Sequence, residues 1–260
     1  MMSGSIKPKT PEQVEAMAAS GRVLAGALDE IEAAVRPGVT TGELDAIAES
    51  FIRDHNGIPS FLGVPAADPG VEPFPGAICA SINDAIVHGI PGSAVLREGD
   101  IISLDCGVIL DGWHSDSART LAVGEIDPDA SRLLDVTRAA LAEAIRASVA
   151  GGHIGDIGAA VQKLVEEAGL TIVRRFVGHG IGRTMHESPQ VPNFGRPGGG
   201  PELVPGITLA IEPMVNIGSA GVVFDTDGWT ARTDDGSLSA HFEHTVAITH
   251  AGPRVLTEAA

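Results

Sequence analysis

The sequence predicts an α+β fold, helices outside and antiparallel strands inside, and three observations carry that prediction. Amphipathic helical patterns come in pairs, twice along the chain, and each pair is followed by short strand-like runs with turn signals between them. Two of those runs, ending at Leu110 and starting at Trp113, are joined by Asp111-Gly112, the preferred two-residue hairpin turn. The 260 residues, 43% of them hydrophobic, can bury a sizeable core as one large domain or two small ones.

The first helix starts at Thr10-Pro11-Glu12-Gln13, which combines an N-cap hydroxyl, a proline at the first helical position and a capping-box glutamine. Pro8 and Pro11 also have the spacing of a PxxP ligand, but a helix start explains more of the segment. Val14, Met17, Ala18, Leu24, Leu28, Ile31 and Val35 recur at helical intervals until Pro37-Gly38 stops them. A second helix is expected over 41–55, with Leu44, Ile47, Ala48, Phe51 and Ile52 on one face. The phrase Ile31, Val35, Gly38, Glu43-Leu44, Phe51-Ile52 lines up, after a one-residue slip, with Ile145, Val149, Gly152, Asp156-Ile157, Leu164-Val165.

Strands are expected at 78–85, 100–110 and 113–123 after the first helix pair, and at 207–217, 222–226 and 238–249 after the second. Two related α+β halves with a cleft between them follow from that order. Glycine and proline cluster at 64–75 and 195–205, which read as surface loops and pocket rims.

Composition removes several classes of function. Lys plus Arg number 17 against 34 Asp plus Glu, a net charge of −17, and such a field repels nucleic acid and anionic membranes. No apolar run approaches a membrane span, and the residues after Lys7 and Lys9 are polar where a secretory signal needs its apolar segment. Cys79 and Cys106 are too few for a disulfide framework or a four-thiolate zinc site, so a reducing cytoplasm is the expected location.

The chemistry concentrates in acids that sit inside apolar strands. Pairing outward from Asp111-Gly112 sets Gly107 opposite Asp116 and Asp105 opposite Ala118. Asp105 and Asp116 then become diagonal neighbours on one face, with Cβ atoms roughly 7 Å apart. Two buried carboxylates that close need cations between them, a shared proton or a salt bridge to Arg119. Glu212 lies inside the apolar strand 209–214, Glu243 in another strand, and His179 in the glycine-rich run 177–182. Four such acids with one imidazole form a hard, oxygen-rich donor set with charge enough for two divalent ions. Two metals about 3.5–4 Å apart activate water and polarise a carbonyl, which is hydrolase chemistry. No serine or thiol nucleophile competes, since Cys106 follows Asp105 and points to the opposite face.

From about Thr10 to Thr249 these residues resemble the methionine aminopeptidases, in particular the bacterial type I form of the pita-bread metallopeptidase fold. The resemblance is carried by Cys79-Ala80-Ser81-Ile82-Asn83 with Val87-His88-Gly89-Ile90-Pro91, by Leu104-Asp105 with His114-Ser115-Asp116, by 178–182 with His186-Glu187, by Ile211-Glu212-Pro213-Met214 and by Glu243-His244-Thr245. It implies one catalytic domain over 10–260 after a short tail 1–9, with pseudo-repeat halves at about 10–125 and 126–255. It also implies removal of the N-terminal methionine from newly made proteins, by attack of a hydroxide bridging two ions on the methionine carbonyl. Asp105, Asp116, His179, Glu212 and Glu243 would hold two divalent ions (Co, Mn, Fe or Zn), Asp116 and Glu243 bridging and Glu212 also acting as base. His88 and His186 would bond the scissile amide and the developing oxyanion, while His114 has no catalytic role in the family. Cys79, Phe61, Phe74, Met185 and Trp229 would form the methionine pocket, and Asn83 and Ser239 would help hold a monovalent cation. The implied partners are nascent chains with a small second residue, near the ribosome, acted on by a monomer.

The chain departs from its relatives by an insertion at 64–73, on the rim of that pocket, and by having no tyrosine. The type II insertion finds no room between His186 and Glu212, and no N-terminal zinc region of the eukaryotic type I kind is present. Two other readings are the proline-specific peptidases of the same fold, which carry an extra N-terminal domain, and a catalytically silent pita-bread binding protein, which would have lost ligands.

Overall fold

The computed structural model describes residues 5–258, so the first four residues of the expected tail lie outside the described residues. Helix α1 (Pro11–Ala34) begins where its capping signals place it: the Thr10 hydroxyl accepts from the Gln13 N–H at 3.3 Å, and the Gln13 side chain accepts from the Thr10 N–H at 3.0 Å. Helix α2 (Thr41–Asp54) repeats the device with Thr40 and Glu43. In the second pair, α3 (Pro128–Ala147) and α4 (Ile154–Glu167), Asp156 accepts from the His153 N–H and so does what Glu43 does in the first. The turns differ in detail. Gly38 is left-handed at φ 93°, whereas in the second pair that conformation belongs to Gly151 and not to Gly152, the glycine aligned with it.

The strands are β1 (Ile58–Pro59), β2 (Ile78–Ile82), β3 (Ala85–Val87), β4 (Ile101–Leu110), β5 (Trp113–Ala122), β6 (Thr171–Ile172), β7 (Gly178–Gly180) and β8 (Glu187–Val191), then β9 (Thr208–Ile211), β10 (Met214–Asn216), β11 (Val222–Phe224), β12 (Ala231–Thr233), β13 (Ser239–His241), β14 (Glu243–Thr249) and β15 (Gly252–Val255). The main sheet runs β1-β4-β5-β14-β9-β7-β8, with β2 also on β4 and β15 also on β14. Two three-stranded sheets, β13-β10-β6 and β11-β12-β3, complete the described strands, and every pairing is antiparallel. The expected α+β class is therefore the observed one. Helices α1 and α2 bury Leu24, Leu28, Leu44 and Ile52 against Ile78, Leu104 and Cys106. Helices α3 and α4 bury Leu133, Leu141 and Val161 against Leu209, Ile211 and Val246. Both helix pairs cover one side of the sheet and leave its other side to form the site.

Three of the expected strands are split. Residues 78–85 break at Asn83, left-handed at φ 55°. Residues 207–217 break at Glu212-Pro213, because a proline has no N–H to give the ladder, and residues 238–249 break at Phe242. The strand expected at 222–226 ends at Phe224. Glu212 thus lies just past the end of β9 and not inside a strand. Register nevertheless persists across the gap. Ile211 pairs with His244 and Met214 with His241, so Glu212 falls opposite Glu243 where β9 and β14 leave the main sheet and continue as β10 and β13 in the smaller one. The loop over 195–205 does not line the cavity that holds the acids: it packs on the start of α4, with Gly155 donating to the Gly199 carbonyl and Ile154 to that of Pro201.

Candidate metal centre

The hairpin between β4 and β5 has the register expected from its turn, Leu110 opposite Trp113, Gly107 opposite Asp116 and Asp105 opposite Ala118. Glu243 on β14 also pairs with Ala118. Ala118 therefore has Asp105 on one side and Glu243 on the other, with Asp116 two residues along its own strand and on the same face. His179 reaches that face through Ala210, which pairs with both His179 on β7 and Thr245 on β14. The residues between the acids are Ala118, Ala210 and Gly107. Their small side chains leave the space above the sheet open to the functional groups.

Asp116 is positioned by a side chain in place of a strand partner. β5 and β14 pair only at Ala118 and Ser117, and beyond them the Thr245 hydroxyl accepts from the Asp116 N–H at 2.9 Å and donates to its carbonyl at 2.8 Å. Thr245→Val strips both partners from a buried peptide group, so urea unfolding should show a loss of about 1–3 kcal/mol. An unchanged midpoint would mean that this hydroxyl positions nothing.

The donor atoms converge. His179 donates from Nδ1 to the Gly180 carbonyl at 3.0 Å, which leaves Nε2 as a free lone pair 3.6 Å from Glu212 Oε1 and 3.8 Å from Asp116 Oδ2. His241 Nε2 lies 3.6 Å from Glu243 Oε2 and 4.0 Å from Glu212 Oε2. Asn193 holds the Glu212 carbonyl at 2.9 Å and leaves its carboxylate free. One buried oxygen each of Asp105, Asp116 and Glu243 finds no hydrogen-bond partner. Arg119 does not neutralise them, because it pairs with Asp29 and Glu32 on α1. Burial pushes the Asp105 carboxyl up to about 7, against a hydrogen bond from Asp116 that works the other way. Burial, and then the neighbouring carboxylates, raise Asp116, Glu212 and Glu243 well above the usual carboxylate range. Burial holds the imidazoles of His179 and His241 neutral, at about 3 each. Orphaned oxygens, mutually repelling acids and imidazoles with free lone pairs are what divalent cations satisfy, so the donor set fits the metal ions that its chemistry implies.

The acids open into a cavity of about 160 Å³. Phe61, Phe74, Cys79, Met185 and Trp229 all line it, as do His88 and His186. His186 stands edge-on to His179 with ring centres 4.4 Å apart. His88, left-handed at φ 61° and kept neutral by burial at about 4, faces Phe176 and Trp229. Cys79 pairs with Asp105 across β2 and β4, hence shares its face, and burial raises its thiol well above the ordinary value. Cys106 faces the helices, opposite the site.

The segment 64–73 builds part of the rim. Phe74 and Gly63 close its base by hydrogen bonds, and the Glu72 carbonyl accepts from the Trp229 indole N–H at 2.9 Å. Val64, from the expected rim, also lines the cavity, as does Ser60, which nothing in the sequence singles out. Asn83 and Ser239 stand apart from this lining: the Ser239 N–H donates to the Asn83 carbonyl at 2.9 Å, and the Asn83 amide donates to Asp100. His114 shares the face of Asp116 but does not line the cavity. His241 lies outside the residues expected from the sequence. Its signal is the alternation of His241 and Glu243 about Phe242, which places both on one face of an extended chain.

Residues 15–250 match the metallopeptidase family M24. The chain belongs to that family. This M24 metallopeptidase is 48% identical to the methionine aminopeptidase of Clostridium acetobutylicum over 250 residues, 96% of this chain and 97% of that protein. It is similar in structure to the methionine aminopeptidase of Thermotoga maritima, with a TM-score of 0.94 and 41% identity over 98% of this chain and all of that one. The pita-bread fold is theirs and this chain's. The Xaa-Pro dipeptidase of Bacillus anthracis, 23% identical with a TM-score of 0.77, shares the fold, and this chain covers 62% of it. Membership in M24 carries divalent metal binding with it.

Proposed function

We propose that this metallopeptidase removes the N-terminal methionine from peptides and newly made proteins. One observation carries the reading: the carboxylate and imidazole cluster and a set of apolar side chains line a single cavity, so a side chain held among the latter sets its own carbonyl beside the cluster. Full-length similarity to methionine aminopeptidases supports the choice of side chain. An unbranched thioether suits a slot walled by Phe61, Phe74, Cys79, Met185 and Trp229, where a neutral thiol and a methionine sulfur supply soft contacts.

In this reading Asp105, Asp116, His179, Glu212 and Glu243 would hold two divalent ions, Asp116 and Glu243 contributing to both. Bound there, such ions would supply a Lewis acid for the scissile carbonyl and a water of lowered pKa. Glu212 takes the proton of the attacking water, for which a carboxyl raised by burial among other acids is suited. His88 and His186 donate to the scissile amide and to the developing oxyanion. His88 and the rim crowd the position after the methionine, which favours a small second residue. A monovalent cation at Asn83 and Ser239 would serve structure only. The enzyme acts as a monomer in the cytoplasm, near the ribosome; no described helix is long and apolar enough to cross a membrane.

The test is hydrolysis of Met-Ala-Ser, Leu-Ala-Ser and Ala-Pro-Ala by metal-stripped protein reconstituted separately with Mn, Co, Fe and Zn under reducing conditions. Metal-dependent release of methionine alone is expected, and it ranks the metals. Cleavage before proline would move the enzyme to the prolidase branch. No turnover with any metal, despite binding two equivalents, would make it a binding protein.

A further inference from the structure

We infer that His241 is a further nitrogen ligand of the metal centre, facing the ion position shared by Glu212 and Glu243. The inference rests on the metallopeptidase reading of the cavity and adds to its donor set a residue outside the five. His241 is 2% exposed, and neither of its ring nitrogens has a hydrogen-bond partner among the described residues. An imidazole buried in that state is costly unless something accepts its lone pair. The distances say what that is. At 3.6 and 4.0 Å from the carboxylate oxygens of Glu243 and Glu212, Nε2 is too far to hydrogen-bond to either. Two donors that each approach one ion to about 2.0–2.2 Å stand about 3–4 Å from each other, and this is the spacing found.

The main chain of His241 is held in place independently of any ligand. His241 pairs with Met214, its N–H donates to the Thr120 hydroxyl at 2.8 Å, and its carbonyl accepts from that same hydroxyl at 2.8 Å. The two oxygens of Glu212 then face different imidazoles, Oε1 toward His179 and Oε2 toward His241. A centre with two imidazoles favours later divalent ions such as Co and Zn over Mn, which prefers oxygen donors.

The experiment loads metal-stripped full-length protein, with its histidine rings 15N-labelled, with Co2+ and counts the imidazoles whose NMR signals show the contact shift of direct ligation. Calorimetric titrations with Co2+ and Mn2+ accompany it, for the parent protein and for His241→Gln. Two contact-shifted rings in the parent and one in the variant are expected, with Co2+ affinity falling at least about tenfold and Mn2+ affinity falling less. A single shifted ring in the parent, or the same count in both proteins, overturns the assignment. If the variant does not fold, the parent count alone decides, two rings supporting His241 and one refuting it. Hydrolysis of Met-Ala-Ser with only one shifted ring would sink this inference and leave the aminopeptidase reading intact. Two shifted rings without hydrolysis would do the reverse.

Discussion

Glu212→Ala lowers the turnover of Met-Ala-Ser by at least about 10²-fold, since it removes both a ligand and the group that takes the proton. The location of Glu212 makes the loss specific. Its side chain is 13% exposed, just past the end of β9, and its backbone is held from outside the cavity by Asn193, so the carboxylate can leave without disturbing the strand. Unfolding midpoints of the metal-free parent and variant should therefore agree or favour the variant, because one of four mutually repelling acids has gone. Calorimetry separates the two roles: Glu212→Gln keeps a neutral oxygen donor and the side-chain volume but no base. If Glu212→Gln binds metal nearly as well as the parent and still loses about 10²-fold of rate, the proton-transfer role stands. Turnover within a few-fold of the parent in either variant would remove Glu212 from the reaction.

Stripping the metal makes stability fall with rising pH. Burial pushes the Asp105 carboxyl up to about 7 in the folded apo-protein, and burial with the neighbouring carboxylates raises Asp116, Glu212 and Glu243 well above the usual carboxylate range, whereas an unfolded chain ionises its carboxyls near about 4. Above pH about 4 these carboxyls hold more protons in the folded state than in the unfolded one, so their contribution to stability declines as pH rises. Histidines oppose this at lower pH. His88 and His244, at about 4, and His179 and His241, at about 3, stay neutral in the fold, so their contribution grows with pH and is complete once unfolded histidine has titrated, near about 6.5. Between about pH 6.5 and 8 the carboxylates dominate, and the apo-protein loses about 1.4 kcal/mol per pH unit for each extra proton held. Saturating Mn or Zn abolishes the slope and raises stability by about 4 kcal/mol when free metal is a thousandfold above Kd. Urea unfolding at three pH values, with chelator and with metal, measures both effects. A chelated protein whose stability is flat with pH would mean that these acids are not forced together.

Much of the site is legible in the sequence because it rests on local rules. Asp111-Gly112 sets a two-residue turn, the turn sets the register, and period-two alternation then places Asp105 and Asp116 on one face and Cys106 on the other. Thr10, Pro11 and Gln13 start α1, and Thr40 with Glu43 starts α2, through hydrogen bonds that span three residues. Metal-assisted hydrolysis follows from finding acids and an imidazole in apolar strand sequence, and the resemblance of the surrounding motifs narrows it to a peptidase. Tertiary structure decided the rest, through contacts between residues far apart in the chain. The interruption of β9 and β10 at Pro213 sets Glu212 opposite Glu243, and the crossing of both strands into a second sheet brings His241 to them. The Thr245 hydroxyl serves a peptide group more than a hundred residues away, and the loop over 64–73 reaches the Trp229 indole through Glu72. Periodicity reports which face of a strand a residue occupies. It carries no term for which strand lies beside it, or for where a ladder gives way, and those two facts place Glu212, His241 and Glu243 around one point in space.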